Sequence, residues 1–209
     1  MYGKGFPRVR GTSHFVHRLV SLTAAMRACD ASLEGHASRV GSHAEAMARR
    51  LDWSDDRLQA LRLGAAIHDV GKVNIRPGLL QKPGRLDAEE LAAIRAHPVE
   101  GAWLIAGVPA FEPALPYVLF HHERWDGGGY PTGRAGTEIP IEGRLLAIAD
   151  AFDAMTSLRP YRDRLPSVDA AREVEECAGS QFDPILAELF VEAHSAGEIV
   201  TESLVAVAV

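Results

Sequence analysis

Apolar residues in the first half of this chain recur every three or four positions. Phe15, Leu19, Leu22 and Met26 form one such stripe. His36, Val40, Ala44, Met47 and Leu51 form a second, which predicts a helix from Ser32 to Leu51. A third helix follows Ser54, whose hydroxyl can cap it, and runs through Leu58, Leu61 and Ala65 to His68, with Gly71 as its stop. Pro77-Gly78 and Pro83-Gly84 mark a loop. Asp87 and Glu90 make a capping pattern that opens a helix reaching Ala106. Pro109, Pro113 and Pro116 interrupt the chain before a short apolar piece, Tyr117–Phe120. Further helices are expected over Glu142–Ser157, from a Ser167 cap to Gly179, and from Asp183 with Pro184 at the first position. No stretch alternates over a strand length. The expected fold class is all-α, a bundle of about seven or eight helices.

Composition narrows the picture. The 209 residues are 47% hydrophobic and 24% charged, enough for one domain with a real core. The net charge of −6 argues against binding long nucleic acids, which requires a basic surface. Cys29 and Cys177 are far apart, so neither a disulfide framework nor a zinc-thiolate site is expected, and a reducing cytoplasm fits. No apolar run is long enough for a membrane span, and no apolar segment near the start reads as a signal peptide. The chain divides into a leading segment and helix (1–29), a main domain (30–195) and a tail (196–209). The leading helix either packs on the core or connects to a partner or sensor module. The same two roles, packing on the body or on a partner, are open for the apolar end Ser203–Val209.

Five histidines stand at comparable places: His36 at a helix start, His68 at a helix end, His97 within the capped helix, and the adjacent pair His121 and His122. Asp69 follows His68, and Asp150 lies in an apolar helix segment, where an unpaired carboxylate would be costly. Imidazoles and carboxylates without thiolates suit iron, manganese or zinc better than calcium or magnesium. Five imidazoles and two carboxylates exceed what one ion needs and match two ions sharing a carboxylate. The stretch HHERWDGGGYP adds a glycine turn and a Tyr-Pro exit after the histidine pair. Its glycines allow positive φ and close backbone approach. Neighbouring histidines in a non-helical segment can each reach a different ion.

His68-Asp69-Val70-Gly71-Lys72 resembles the HD-x-GK signature of the HD phosphohydrolases, and HHERWDGGGYP resembles the segment that defines their HD-GYP subfamily. The resemblance continues through His36-x-x-Arg39-Val40, Lys82-Pro83-Gly84, His97-Pro98, Ile148-Ala149-Asp150, Arg159-Pro160-Tyr161-Arg162 and Gly179-x-Gln181-Phe182-Asp183-Pro184. It implies an HD-domain helical bundle and a metal-dependent phosphodiesterase that hydrolyses cyclic di-GMP to linear pGpG, with iron or manganese as cofactor. By position, it implies His36, His68, Asp69, His97, His121, His122 and Asp150 as metal ligands, with Asp69 bridging two ions. Lys72 would contact the scissile phosphate, and Tyr130, Arg159 and Arg162 would hold phosphates or guanines. Some members carry a Glu one turn before the first histidine and bind a third metal. Ser32 stands there in this chain, which implies two metals and weakens onward hydrolysis to GMP.

Physical chemistry agrees with that assignment. Two ions would neutralise a phosphodiester and acidify a shared water, and Lys72 would add charge where it builds up. Two rival readings remain: a cyclic-dinucleotide-binding or protein-interaction module that has lost turnover, and a phosphodiesterase for another cyclic dinucleotide. A homodimer or a signalling partner fits either. Around the core set, Asp153 and Glu123 are candidates to orient ligands, Arg39 to steer substrate or form a salt bridge, and Trp125 to anchor the turn. His14, His17, His43 and His194 fall outside the pattern.

Overall fold

Eight α-helices form among the described residues: α1 His36–Arg50, α2 Asp55–Ile67, α3 Ala88–Arg95, α4 His97–Ile105, α5 Leu115–Phe120, α6 Ile141–Thr156, α7 Ser167–Glu176 and α8 Pro184–Ser195. Three 3₁₀ turns, Val70–Asn74, Pro109–Ala114 and Gly136–Glu138, link them. The computed structural model describes residues 35–76, 78–80, 82, 84–157 and 164–201. The stripe Phe15–Met26, Ser32 with Glu34, Pro77, Pro83, Arg159–Arg162 and the end Ser203–Val209 lie outside them. The all-α expectation holds. Among the described residues the only β-type pairing is an isolated bridge between Ala178 and Phe182. No helix there is long and apolar enough to cross a membrane.

Side-chain caps mark three of the eight helix starts. Ser54 accepts from the Arg57 N–H, and Asp87 and Glu90 form both bonds of a capping box at 2.9 and 3.0 Å. Asp183 accepts from the amides of Ile185 and Leu186, with Pro184 in the first turn. Four expectations need correction. The helix expected over 87–106 is two helices, because Pro98 has no N–H for the Ile94 carbonyl. Ser167 is the first helical residue and caps nothing; the preceding Pro166 is the cap position, and the helix ends at Glu176. Gly71 does not stop α2, which ends at Ile67, but sits inside the 3₁₀ turn. The second stripe becomes helical only at His36, after Gly35 in the left-handed region at φ 80°.

Two apolar clusters organise the helices. In the larger, Val40, Ala44 and Met47 of α1 pack with Leu145, Ile148 and Phe152 of α6 and Phe190 of α8, all fully buried. The smaller joins Ile67, Val70, Ile105, Phe111 and Val118. His68 and Asp69 lie in sequence between Ala65 of the larger cluster and Val70 of the smaller.

The larger cluster has one polar flaw. His43 is buried with neither ring nitrogen hydrogen-bonded, edge-on to Phe152 at 5.3 Å. Burial pushes its pKa down from 6.5 to about 4. A histidine depressed on folding takes up a proton more readily unfolded, so its contribution to stability is lost as pH falls from 6.5 toward 4. Replacing His43 with Leu should stabilise the fold by about 1–3 kcal/mol, since two unsatisfied polar atoms disappear. The advantage over wild type should widen by about 1.4 kcal/mol per pH unit below that upper limit, measured by urea unfolding across pH.

Candidate metal centre

Three of the histidines end helices and use the same device. His68, the C-cap of α2, has Nδ1 2.8 Å from the Ala65 carbonyl. His97, just past α3, has Nδ1 2.8 Å from the Ile94 carbonyl. His121, the C-cap of α5, has Nδ1 3.0 Å from the carbonyls of both Tyr117 and Val118. Carbonyls in the last turn of a helix lack intrahelical partners, and a carbonyl only accepts, so each Nδ1 donates. At His97 the freed acceptor is the one Pro98 cannot serve. A neutral imidazole held this way carries its lone pair on Nε2 and aims it away from the helix end.

Those Nε2 atoms converge on Asp69. His97 Nε2 is 3.2 Å and His121 Nε2 3.8 Å from its Oδ1, and His68 Nε2 is 3.4 Å from its Oδ2. His97 and His121 bring their Nε2 atoms within 3.3 Å of each other. His68 Nε2 and Asp69 Oδ1 are buried with no hydrogen-bond partner. Lone pairs facing one another and a carboxylate at such distances repel unless a cation lies among them. The donor set therefore fits a metal. Ligand atoms of Asp69, His97, His121 and His122 lie within 4.8 Å of one another, as do those of His36, His68 and Asp69. Asp69 belongs to both groups. His121 and His122 fall in the same group.

Backbone packing brings the two strongest motifs together. A Cβ on Gly71 would meet the His97 carbonyl oxygen at 1.9 Å and the Gly101 nitrogen at 2.6 Å. The glycine of HD-x-GK is thus a close-approach residue that lets the 3₁₀ turn lie directly on α4. Lys72 Nζ sits 2.6 Å from Asp69 Oδ2. Burial would raise the Asp69 pKa, but the charge of Lys72, foremost among its neighbours, outweighs it and holds the carboxyl well below its usual range. Burial, reinforced by neighbouring imidazoles, pushes His121 well down and His122 to about 4, favouring the neutral form that ligates.

His36 is held by side chains rather than by its own helix. Its Nδ1 lies 2.7 Å from Asp153 Oδ2, and its Nε2 lies 3.4 Å from Asp150 Oδ1. Arg39 Nε donates to Asp153 Oδ1 at 2.5 Å, and Ser157 Oγ donates to Asp153 Oδ2 at 3.2 Å. Asp153 thereby fixes the His36 ring, and Arg39 forms a buried-side ion pair with it. Burial lowers the His36 pKa, but the Asp153 hydrogen bond and the charges of Asp150 and Asp69 raise it further than burial lowers it. Asp153 is opposed by burial and still falls to about 2 under the His36 and Arg39 hydrogen bonds. The cost expected for a carboxylate buried at Asp150 belongs to Asp153 instead: their side chains are 20% and 1% exposed.

The histidine pair opens into a cleft of about 310 Å³, walled by His122, Tyr130, Asp150, Arg95, Arg124 and Gln181 among others. Tyr130 stacks on His122, ring centres 4.8 Å apart and planes 25° from parallel. The turn is held in place by its own backbone: Tyr130 N–H donates to the His122 carbonyl, and a Cβ on Gly129 would meet the Arg124 nitrogen at 2.3 Å. Glu123 does not orient a histidine. Its Oε1 accepts from the amide and hydroxyl of Thr132, both at 2.7 Å, and so anchors the exit of the turn. Trp125 is half-buried, its N–H bonded to the Gln181 carbonyl, as suits an anchor. Arg95, Arg124 and Gln181 were not singled out as site residues. Arg95 looks like any helix-surface cation, and no local pattern places it in the cleft. Arg159 and Arg162 lie outside the described residues.

Changing Asp153 to Asn keeps the shape but removes the charge that anchors His36. Calorimetric titration with Mn²⁺ should show an affinity about 10- to 100-fold weaker, with helical content unchanged by circular dichroism.

Comparison with known proteins agrees with this geometry. The HD domain family matches residues 23–186. A cyclic di-GMP phosphodiesterase from Thermotoga maritima is 36% identical over 78% of this chain and 45% of its own length. A 3'3'-cGAMP-specific phosphodiesterase 2 from Vibrio cholerae is 34% identical over 82% of this chain and 33% of its own. The chain thus spans less than half the length of these curated relatives. Among solved structures, a HDG"Y"P protein from Bdellovibrio bacteriovorus superposes with a TM-score of 0.61 at 22% identity, covering 77% of this chain and 51% of that one. With its His68-Asp69 pair at the centre of this cluster, the chain belongs to the HD domain family.

Proposed function

We propose that this chain is a metal-dependent phosphodiesterase that hydrolyses cyclic di-GMP to linear pGpG, and that it acts in second-messenger signalling in the cytoplasm. The observation that carries this reading is the convergence of unprotonated ring nitrogens on Asp69 beside a cleft large enough for part of a nucleotide. His36, His68, Asp69, His97, His121, His122 and Asp150 would hold two divalent ions, iron or manganese, with Asp69 shared. When bound, the ions would supply Lewis-acid charge that neutralises a phosphodiester and acidifies water.

The chain's own residues do the rest. Lys72 keeps Asp69 ionised and stands at the edge of the cluster, where its ammonium can meet charge building on the scissile phosphate. Tyr130, braced on His122, offers a ring face and a hydroxyl to the ligand. Arg159 and Arg162 carry the remaining phosphate or guanine contacts in this proposal. A second reading, another cyclic dinucleotide as substrate, draws on relatives named for 3'3'-cGAMP.

Metal analysis with chromatography of products on the purified chain tests the proposal. Two metals per chain and conversion of cyclic di-GMP to pGpG are expected. Full metal with cyclic di-GMP left intact would overturn it, and cleavage of 3'3'-cGAMP alone would favour the second reading. The double change His68→Ala with Asp69→Ala should strip metal and abolish hydrolysis. Lys72→Ala should keep metal while turnover falls on the order of a hundredfold.

A further inference from the structure

Two guanidinium groups line the cleft, and their circumstances differ. Arg124 is occupied: it pairs with Asp126 at 2.6 Å and donates to the Gln181 side-chain oxygen at 3.1 Å. Arg95 has no carboxylate partner among the described residues. Its guanidinium carbon lies 5.4 Å from the centre of the Tyr130 ring, and Tyr130 stacks on His122. The side chain is exposed, yet it leans over an aromatic ring at the cleft wall. A long side chain loses rotamer freedom in such a position, which the cation–π contact offsets in part.

The acids of this wall sharpen the contrast. Asp150 faces the cluster through His36, and Glu123 is tied to Thr132. An anion entering the cleft away from the cluster therefore meets, in Arg95, a cation with no carboxylate partner among the described residues. Arg95 belongs to neither group of ligand atoms, and it contacts the Tyr130 ring, which in turn stacks on His122. Charge-assisted bonds from a guanidinium fork are the strong ones for phosphate, and this fork has no competing carboxylate.

We propose that Arg95 is a substrate-binding residue that grips the phosphate of the cyclic dinucleotide that is not being cleaved, and so favours dinucleotides over simple phosphodiesters. This inference rests on the function proposed above. It assigns Arg95 to uniform binding rather than to chemistry, a role that kinetics can separate.

The test compares metal-loaded wild type, Arg95→Gln and Arg95→Lys on two substrates, cyclic di-GMP and bis(p-nitrophenyl) phosphate, which has only one phosphate. Calorimetric binding of cyclic di-GMP is measured alongside. For Arg95→Gln, KM and Kd for cyclic di-GMP should rise about tenfold or more, as for loss of one charged hydrogen-bonded contact, with kcat little changed. Its salt dependence of kcat/KM should flatten, and Arg95→Lys should recover part of the loss. Activity on the one-phosphate diester should stay at the wild-type level. Unchanged KM and Kd for cyclic di-GMP in Arg95→Gln would overturn the inference and leave the proposed function standing. Equal losses on both substrates would overturn it too, by placing Arg95 at the reacting phosphate. If wild type binds cyclic di-GMP without cleaving it, the proposed function fails, while the Kd comparison still decides the role of Arg95. Wild type that neither binds nor cleaves it would overturn both.

Discussion

The bond between an imidazole Nδ1 and a carbonyl in the last turn of the helix it follows is the constraint from which the rest of this site descends. It occurs at His68, His97 and His121. It gives a last-turn carbonyl a side-chain donor, and it fixes the ring and the tautomer together. The C-terminal end of a helix is also its negative pole, so the same placement favours a cation in front of the ring. Three helices that end around one point therefore deliver three lone pairs to it. His36 stands at the start of a helix, where carbonyls are engaged and no such partner exists. It borrows Asp153 from α6 instead, and that carboxylate in turn needs Arg39 and Ser157.

The same economy explains the role of the backbone around the centre. Pro98 breaks the expected long helix and leaves the Ile94 carbonyl to His97. Gly71 lets the HD turn touch α4 with no side chain between. Gly129 does the equivalent for the Tyr-Pro turn against Arg124. In each case a residue that lacks an atom, a proton donor or a Cβ, opens a backbone group to a close partner.

Much of this was legible in the sequence because it is local. Capping residues, apolar stripes and the His-Asp and His-His pairs declare themselves within a few positions. The helix class and the residues brought together at Asp69 followed from them. What could not be read depends on distance along the chain. Asp153 as an orienting residue and Arg39 as a salt-bridge former were open candidates, but their pairing with each other requires α1 and α6 to be adjacent, more than a hundred residues apart in sequence. Glu123 looked like a partner for a histidine, yet Thr132 is folded back onto it by the intervening glycines. Gly71 fits the local rule for a helix stop, and its real reason is a neighbour on another helix. Pro98 is the exception, since the restriction it places on the chain is a local one.

Asp69 belongs to both groups of ligand atoms. Cations held by those groups draw on one carboxylate, so the charge that one withdraws is charge the other lacks. Their affinities are then thermodynamically linked, each reporting on the occupancy of its neighbour. Lys72 enters the same account, because its ammonium already shares that carboxylate. Were both groups to hold ions, the centre would be one coupled equilibrium, in which a change of ion at either would retune the other.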